Sequence, residues 1–413
     1  MNEINLAPVV NTSGGFGTLH VNVYFRNIGT PVEGALVRIT EPNTGEILKE
    51  ERTDAQGQVR AIFLETPPIE YSLEPNRPRP FNQYNIQVTY PGHDEVNINF
   101  VQLYPNSIAV QDVYLTPNYS NILIPYPVLW GTYPPKIPES EVKRVPLPTG
   151  QVVLPKPVVP ELIIVHAGVP DDASAPNYTV PFTDYIKNVA SSEIYSTWPL
   201  ETIKANVLAI LSFTLNRVYT EWYRGKGYDF TITNSTAYDQ AFSYGRNIYK
   251  EISDVVDEIF TTYISRSDLV QPLFTQYNDG QKTNRAGWLS QWGSKDLGEQ
   301  GLNALQILRT YYGSDIILKQ AEKVEGIPMS FQEVLKIGSV GDAVRTIQEQ
   351  LNTISNNYPL IKKVVVDGNY QESTAEAVRV FQQIFGLPVT GEVNFPTWYK
   401  ISDVFVAISK LAN

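Results

Sequence analysis

The chain has no cysteine among its 413 residues, which removes disulfides, thiolate nucleophiles and Cys-ligated zinc from consideration. Histidine is almost as scarce. His20, His93 and His166 stand far apart, so no motif with metal-ligand spacing exists, and neither a metal nor another cofactor is expected. A serine triad would have to rely on His166, and no G-x-S-x-G elbow presents its nucleophile. Positive charge is also in deficit: 32 Lys and Arg against 43 Asp and Glu give a net charge of −11 with no basic stripe, which argues against nucleic acid as a partner. No apolar run reaches transmembrane length, and no polybasic or lipidation signal points to a membrane. The N-terminus "MNEINLAPVVNTSGGFG" lacks the basic and apolar regions of a Sec signal, so export by that route is not expected. Chemistry in this chain must come from carboxylates, hydroxyls or the scattered histidines.

What is present is length for two or three cores and a pattern that changes along the chain. From Gly17 to about Tyr114, "TLHVNVYF", "ALVRIT", "YNIQVTY", "EVNINFVQL" and "IAVQDVYL" place apolar residues at every second position. This predicts an N-terminal antiparallel β-sandwich over residues 1–118, with "EPNTGE" and "TDAQGQ" as turns. Eleven prolines between Pro117 and Pro160 then predict an extended, semi-rigid linker over 119–160 that makes few packed contacts and is open to proteases.

Residues 161–326 read as a mainly helical α+β domain. "PLETIKANVLAILSFTLNRVYTEW" is apolar nearly all round and predicts a central buried helix, with Pro199 in its first turn and Ser196 or Thr197 as its cap. "RNIYKEISDVVDEIFTTYI" and "ALQILRTYY" predict two further helices. The last stretch, 327–413, contains an echo of "AVRTIQEQL" in "AVRVFQQIF", each preceded by a Gly/Asp turn, and predicts a small pseudo-symmetric helical domain.

One carboxylate breaks the apolar pattern. Phe182, Ile186, Val189 and Ala190 make one helical face, and Glu193 falls on the same stripe. Either it is a polar residue at a frayed helix end, or it is a buried acid whose proton is held by an apolar setting and the negative end of the helix dipole. A carboxyl kept partly protonated near neutrality can donate to a glycosidic oxygen. Asp239 and Glu201 are the nearest acidic candidates by position for a partner.

The C-terminal stretch, through "LKIGSVGDAVRTIQEQL", "VDGNYQESTAEAVRVFQ", "GLPVTGEV" and Thr397-Trp398, resembles the peptidoglycan-binding type 1 domain, which implies a three-helix module that holds cell-wall glycan or its peptide stems. The middle, through "SSEIYSTWPLETIKANVLAILSF", "STAYDQAFSYG" and "SQWGSKDLGEQGLNALQILRTYYG", resembles the SpoIID-type lytic transglycosylases. The first block is similar to transthyretin-like sandwiches, and the whole chain looks like the spore cortex-lytic enzymes of clostridia. The resemblance implies Glu193 as the catalytic acid. It implies no zinc site, because Ala237, Tyr238 and "NRAG" stand where that family can carry Cys/His ligands and "GHG".

Tyr238, Gln240, Ser290 and Gln291 are the substrate-cleft candidates, combining hydrogen-bonding groups with aromatics suited to sugar faces. Packing in the core is the competing reading for each aromatic, and the favoured one for Trp292. Gly245 and Gly293 read as backbone positions. The resemblance further implies a precursor held silent in the cortex or coat region of the spore until a germination protease removes the N-terminal domain. The proline-rich segment offers the cut in "LPTGQVVLPKP", at Gln151-Val152 or nearby, because a cut there lies just before the helical domain and leaves it whole. The expected partners are spore cortex peptidoglycan and that protease. The expected reaction is lytic transglycosylation of the glycan strand, giving 1,6-anhydro-muramyl ends. The alternatives are a hydrolytic muramidase or glucosaminidase, and a non-catalytic wall-binding protein.

Overall fold

Alternating apolar residues build the first unit. The computed structural model describes residues 14–25, 30–117, 120–138, 154 and 156–409. In chain order the unit comprises β1 (Gly15–Tyr24), β2 (Leu36–Thr40), β3 (Ile47–Arg52), β4 (Gln58–Thr66), α1 (Glu70–Leu73), β5 (Asn82–Thr89), β6 (Val96–Leu103), β7 (Ile108–Tyr114) and β8 (Asn121–Leu123). One sheet runs β7-β1-β4 and the other β3-β2-β5-β6-β8. Leu19, Val21 and Val23 from the first and Val37, Ile86, Val88 and Ile98 from the second are buried together.

The sheets are mixed, not antiparallel as predicted, since β1 runs parallel to β7 and β6 parallel to β8. Alternation reports which face is buried and says nothing of direction. After β6 the chain crosses to the other sheet and lands beside β1, and then it crosses back to lie beside β6.

The second unit contains β9 (Val158–Pro160), β10 (Leu162–His166), β11 (Asn177–Pro181), α2 (Phe182–Glu193), α3 (Leu200–Tyr219), β12 (Ile232–Thr233), β13 (Ile248–Tyr249), α4 (Lys250–Ile259) and β14 (Thr262–Arg266). It continues with β15 (Tyr277–Asn278), β16 (Leu289–Ser290), α5 (Gln291–Glu299), α6 (Ala304–Tyr312), β17 (Ile316–Gln320) and β18 (Glu322–Val324). The central helix α3 is buried along nearly its whole length and packs against α2, α4, α5 and α6, in keeping with its all-round apolar sequence. No side chain caps it. Ser196 and Thr197, the predicted caps, instead bond the first unit: Ser196 meets the Ser107 hydroxyl at 2.6 Å and Thr197 donates to Ser72 at 2.8 Å.

The two units share one continuous core. Strand β13 extends the first unit's sheet, with Ile248 and Tyr249 opposite Val110 and Ala109. Trp198 donates its indole N–H to the Ser72 carbonyl at 2.9 Å, and Gln111 donates to the Gly245 carbonyl at 2.9 Å. The described part of the proline-rich segment is packed as well, contrary to the expectation of few contacts. Leu129 is buried in the shared core, and Ile137 packs on Trp222, Tyr223 and Phe230. Gln151-Val152 lies outside the described residues; just beyond it, Leu154 is buried and its N–H donates to Tyr219 at the end of α3.

The third unit is built from α7 (Asp342–Ile354), α8 (Glu372–Ile384) and α9 (Phe395–Ser409) around a separate core that includes Val344, Ile347, Val378, Phe381 and Ile401. The sequence echo has a physical counterpart. Gln348 accepts from the backbone N–H groups of Asp367 and Gly368, and Gln382 does the same for Thr390 and Gly391. Both glycines have positive φ, +74° and +73°, which is why glycine stands in each turn. Glu221, buried at the end of α3, accepts from the backbone N–H and hydroxyl of Ser330 and from the Tyr399 hydroxyl, joining this unit to the second.

Candidate active site

Helix α2 buries Phe182, Tyr185, Ile186, Val189 and Ala190, and its last residue, Glu193, is buried with them at 2% exposure. Ile194 turns to extended backbone and ends the helix there. The end is packed, not frayed. One carboxylate oxygen of Glu193 accepts from the Ala241 N–H at 2.8 Å, and the other meets the Gln291 amide at 3.5 Å. Burial pushes the Glu193 pKa above its ordinary value, opposed mainly by the charge of Lys136 and then by the hydrogen bond from Ala241.

Glu193 lies in the wall of a cleft of about 290 Å³. Three segments distant in sequence make that cleft: 128–136 from the proline-rich stretch, 236–239 from the turn after β12, and 277–291 from β15 to the start of α5. Tyr277 is the notable addition. Its hydroxyl faces Glu193 and Gln240 and interacts with both, without settling into a well-aligned hydrogen bond. Lys136, Lys282 and Asp279 line the same cleft, and none of the four was among the candidates. They come from parts of the chain that carried no motif, so residue type alone offered no signal.

Of the four cleft candidates, Gln291 is in the cleft. The other three are not among its lining residues: the polar groups of Gln240 and Ser290 are committed elsewhere, and Tyr238 packs its ring on a different cluster. Gln240 is fully buried behind it, accepting from Tyr185 and Thr214 and donating to the Ile210 carbonyl. The Ser290 hydroxyl caps α5 by accepting from Gly293 at 2.9 Å. Tyr238 packs against the Trp222–Tyr223–Phe230 cluster. Trp292 is a core residue against Tyr195 and Trp198. Gly245 has φ +78°, and a Cβ at Gly293 would come within 2.4 Å of the Tyr311 hydroxyl.

Asp239 reaches the cleft wall but is already bound. Arg217 pairs with one oxygen at 2.8 Å, while Tyr223 and Thr233 donate to the other. Glu201 accepts from the Ala304 N–H at the start of α6 and lines no part of the cleft. Asp279 is different: one of its oxygens holds a turn by accepting from Gln281 and Thr283, and it faces the same space as Glu193. His166 is consumed structurally, contacting Asn177 at 2.8 Å and stacking on Phe230. Among the described residues, no group of three or more His, Asp or Glu is placed to hold a metal ion.

Comparison with known proteins places two families on this frame. Residues 174–263 match the SpoIID family, described as stage II sporulation protein, and residues 340–401 match a peptidoglycan-binding domain. These matches fit a SleC-like spore cortex-lytic enzyme. The SpoIID match contains Glu193 and the Ala241 turn, and the second match contains α7, α8 and the first part of α9. No protein of curated function matches. Among solved structures, a SleB N-terminal domain aligns at 29% identity and TM-score 0.16, covering 18% of this chain and 96% of that one. Transthyretin from Sparus aurata aligns at 17% and 0.17, covering 24% and 88%. The 5-hydroxyisourate hydrolase of Klebsiella pneumoniae aligns at 18% and 0.16, covering 24% and 91%. The two family matches make the chain a sporulation protein that acts on the cell wall.

Proposed function

We propose that the chain is the precursor of a lytic transglycosylase that cuts the glycan strand of spore-cortex peptidoglycan, with Glu193 as its single acid–base residue. The observation that carries this reading is a fully buried carboxyl with a raised pKa in a cleft wall, while Asp239 beside it is neutralised by Arg217. Glu193 would give its proton to the glycosidic oxygen as the bond to the anomeric carbon breaks. Its carboxylate would then take the proton of the same sugar's C6 hydroxyl as that oxygen closes on the anomeric carbon, so one residue serves both steps. The Gln291 amide and Ala241 N–H hold the carboxyl in place for both.

Asp279 supports a second reading. A hydrolase needs a second carboxylate as nucleophile or as base for water, and Asp279 is in the cleft to supply one. Mass spectrometry of digested cortex separates the two. Transglycosylation leaves 1,6-anhydro-muramyl ends lighter by one water, whereas reducing ends would select the hydrolase and assign Asp279 a direct role.

The C-terminal unit is proposed to tether the enzyme to insoluble cortex. Deleting residues 331–413 is expected to weaken association with cortex sacculi more than it slows cleavage of small soluble fragments, because tethering raises local concentration without touching the chemistry. Co-sedimentation and fragment cleavage measured side by side check this. Equal loss on both substrates would mean that the contact of Tyr399 with Glu221 shapes the catalytic unit instead.

We further propose that the N-terminal unit is a prosegment, removed by a germination protease in the spore.

A further inference from the structure

The proline-rich segment does not merely pass the cleft; it forms one side of it. A single helical turn closed by Trp130 and Gly131 N–H groups on the Pro127 carbonyl enters first, anchored where Val128 N–H donates to Ser192 at 2.8 Å. Lys282 donates to the Gly131 carbonyl at 2.8 Å, and Thr236 donates to the Pro134 carbonyl at 3.0 Å. The Ile137 N–H donates to Ala237 at 2.7 Å, so the segment is pinned at both ends. Between these anchors the Lys136 ammonium is buried, 4.2 Å from the Tyr277 ring centre and 4.4 Å from that of Phe213, and its charge acts on Glu193.

A cation resting on aromatic faces beside a carboxylate has the electrostatics of a glycoside in mid-cleavage. Positive charge develops at the anomeric carbon and ring oxygen as the bond breaks, and a ring face and a carboxylate both stabilise it. The remaining space of about 290 Å³ lies at the lower edge of ordinary ligand clefts, roughly 300–1,000 Å³. That leaves little room beside the segment for a glycan of two or more sugars. We infer that residues 127–138 are an internal ligand competing with glycan, and that the Lys136 ammonium marks the subsite where the reacting sugar sits against Tyr277, Phe213 and Glu193. This rests on the glycan-cutting reading above, and it assigns Tyr277 and Phe213 the binding of a sugar carrying positive charge, or of a protonated cyclic amine of sugar size.

The test uses the uncut chain and soluble cortex fragments of two to four sugars. In the wild type, Lys136 is expected to resist an amine-acylating reagent relative to exposed lysines, and to gain reactivity on saturation with fragments, read by peptide mass spectrometry. Lys136→Glu sets like charge beside Glu193 and is expected to bind fragments at least about tenfold more tightly than wild type by calorimetry, while Lys136→Arg, which keeps the cation, stays near wild type. The proposal is overturned if fragments bind all three chains equally, if they bind none, or if they bind wild type without changing Lys136 reactivity. The glycan-cutting reading fails separately: Lys136→Glu would then bind more tightly while no form of the protein, cut or uncut, cleaves the strand.

Discussion

Glu193→Gln is expected to lower cortex lysis by roughly 10²–10⁴-fold, the usual contribution of a positioned acid–base group. Glutamine keeps the size of the side chain and can still accept from Ala241, but it has no proton to deliver. Binding to cortex should persist, because the wall-binding unit has a core of its own, distinct from that of the catalytic unit. Lysis of decoated spores or cortex fragments, with co-sedimentation as the control, measures both. Undiminished lysis by the variant sinks the assignment of the acid.

The same substitution should alter stability with a definite sign. Burial raises the Glu193 pKa, so the folded state holds this proton more tightly than the unfolded chain does. That contribution is complete below the ordinary glutamate value of 4.5 and is lost as pH rises through the higher folded value. Thermal midpoints of Glu193→Gln should therefore gain on those of the wild type as pH rises from that value, with the two converging below it. Activity follows the same group: the acid step needs the protonated form, so the rate should fall as pH rises through the folded pKa. A difference in midpoint that does not change with pH would show that the carboxyl is more hydrated than its geometry implies.

How much of this was legible depended on how local the signal was. Five strands of the first unit announced themselves by alternation, but β3, β4 and β8 did not; β8 is three residues long and lies inside the stretch expected to be linker. Strand β3 is exposed along almost its whole length, so "ILKEER" has no apolar face to show. In β4 the inward residues are Val59, then Ile62 and Leu64, and the three-residue step between the first two breaks the period. The backbone explains it: Ala61 has φ +58°, opposite the register shift between Leu19 and Val21. Glu193 was legible because α2 carries both the apolar stripe and the carboxylate within twelve residues. The rest of the cleft was not. Lys136 and Tyr277 reach Glu193 across 57 and 84 residues of sequence, by tertiary packing alone. Tyr238, Gln240 and Ser290 have the right chemical groups, yet the Tyr238 ring packs on a separate cluster, and the polar groups of Gln240 and Ser290 are consumed by a buried network and a helix cap, which no residue type reveals.

Cutting the chain between about Leu147 and Leu154 is expected to turn on cortex lysis that the intact chain lacks, but with delayed kinetics. A cut there leaves the sandwich and residues 127–138 on one fragment, so it does not by itself clear the cleft. The fragment remains docked through the pairing of β7 with β13, the Trp198 bond to Ser72, the Gln111 bond to Gly245 and a shared apolar core. What the cut removes is the covalent link, and with it the high effective concentration that returns the segment to the cleft each time it leaves. Release then becomes a bimolecular equilibrium. Cut protein at high concentration should elute as one species of undiminished mass, and its activity per molecule should rise on dilution and lag after the cut. Adding back the isolated fragment should suppress it. Intact chain as active as cut chain would refute the prosegment reading and make the sandwich a targeting or adhesive unit. Immediate activity that ignores dilution would mean instead that the fragment's grip on the cleft depends on strain in the uncut chain, and that the shared core does not hold it once the link is gone.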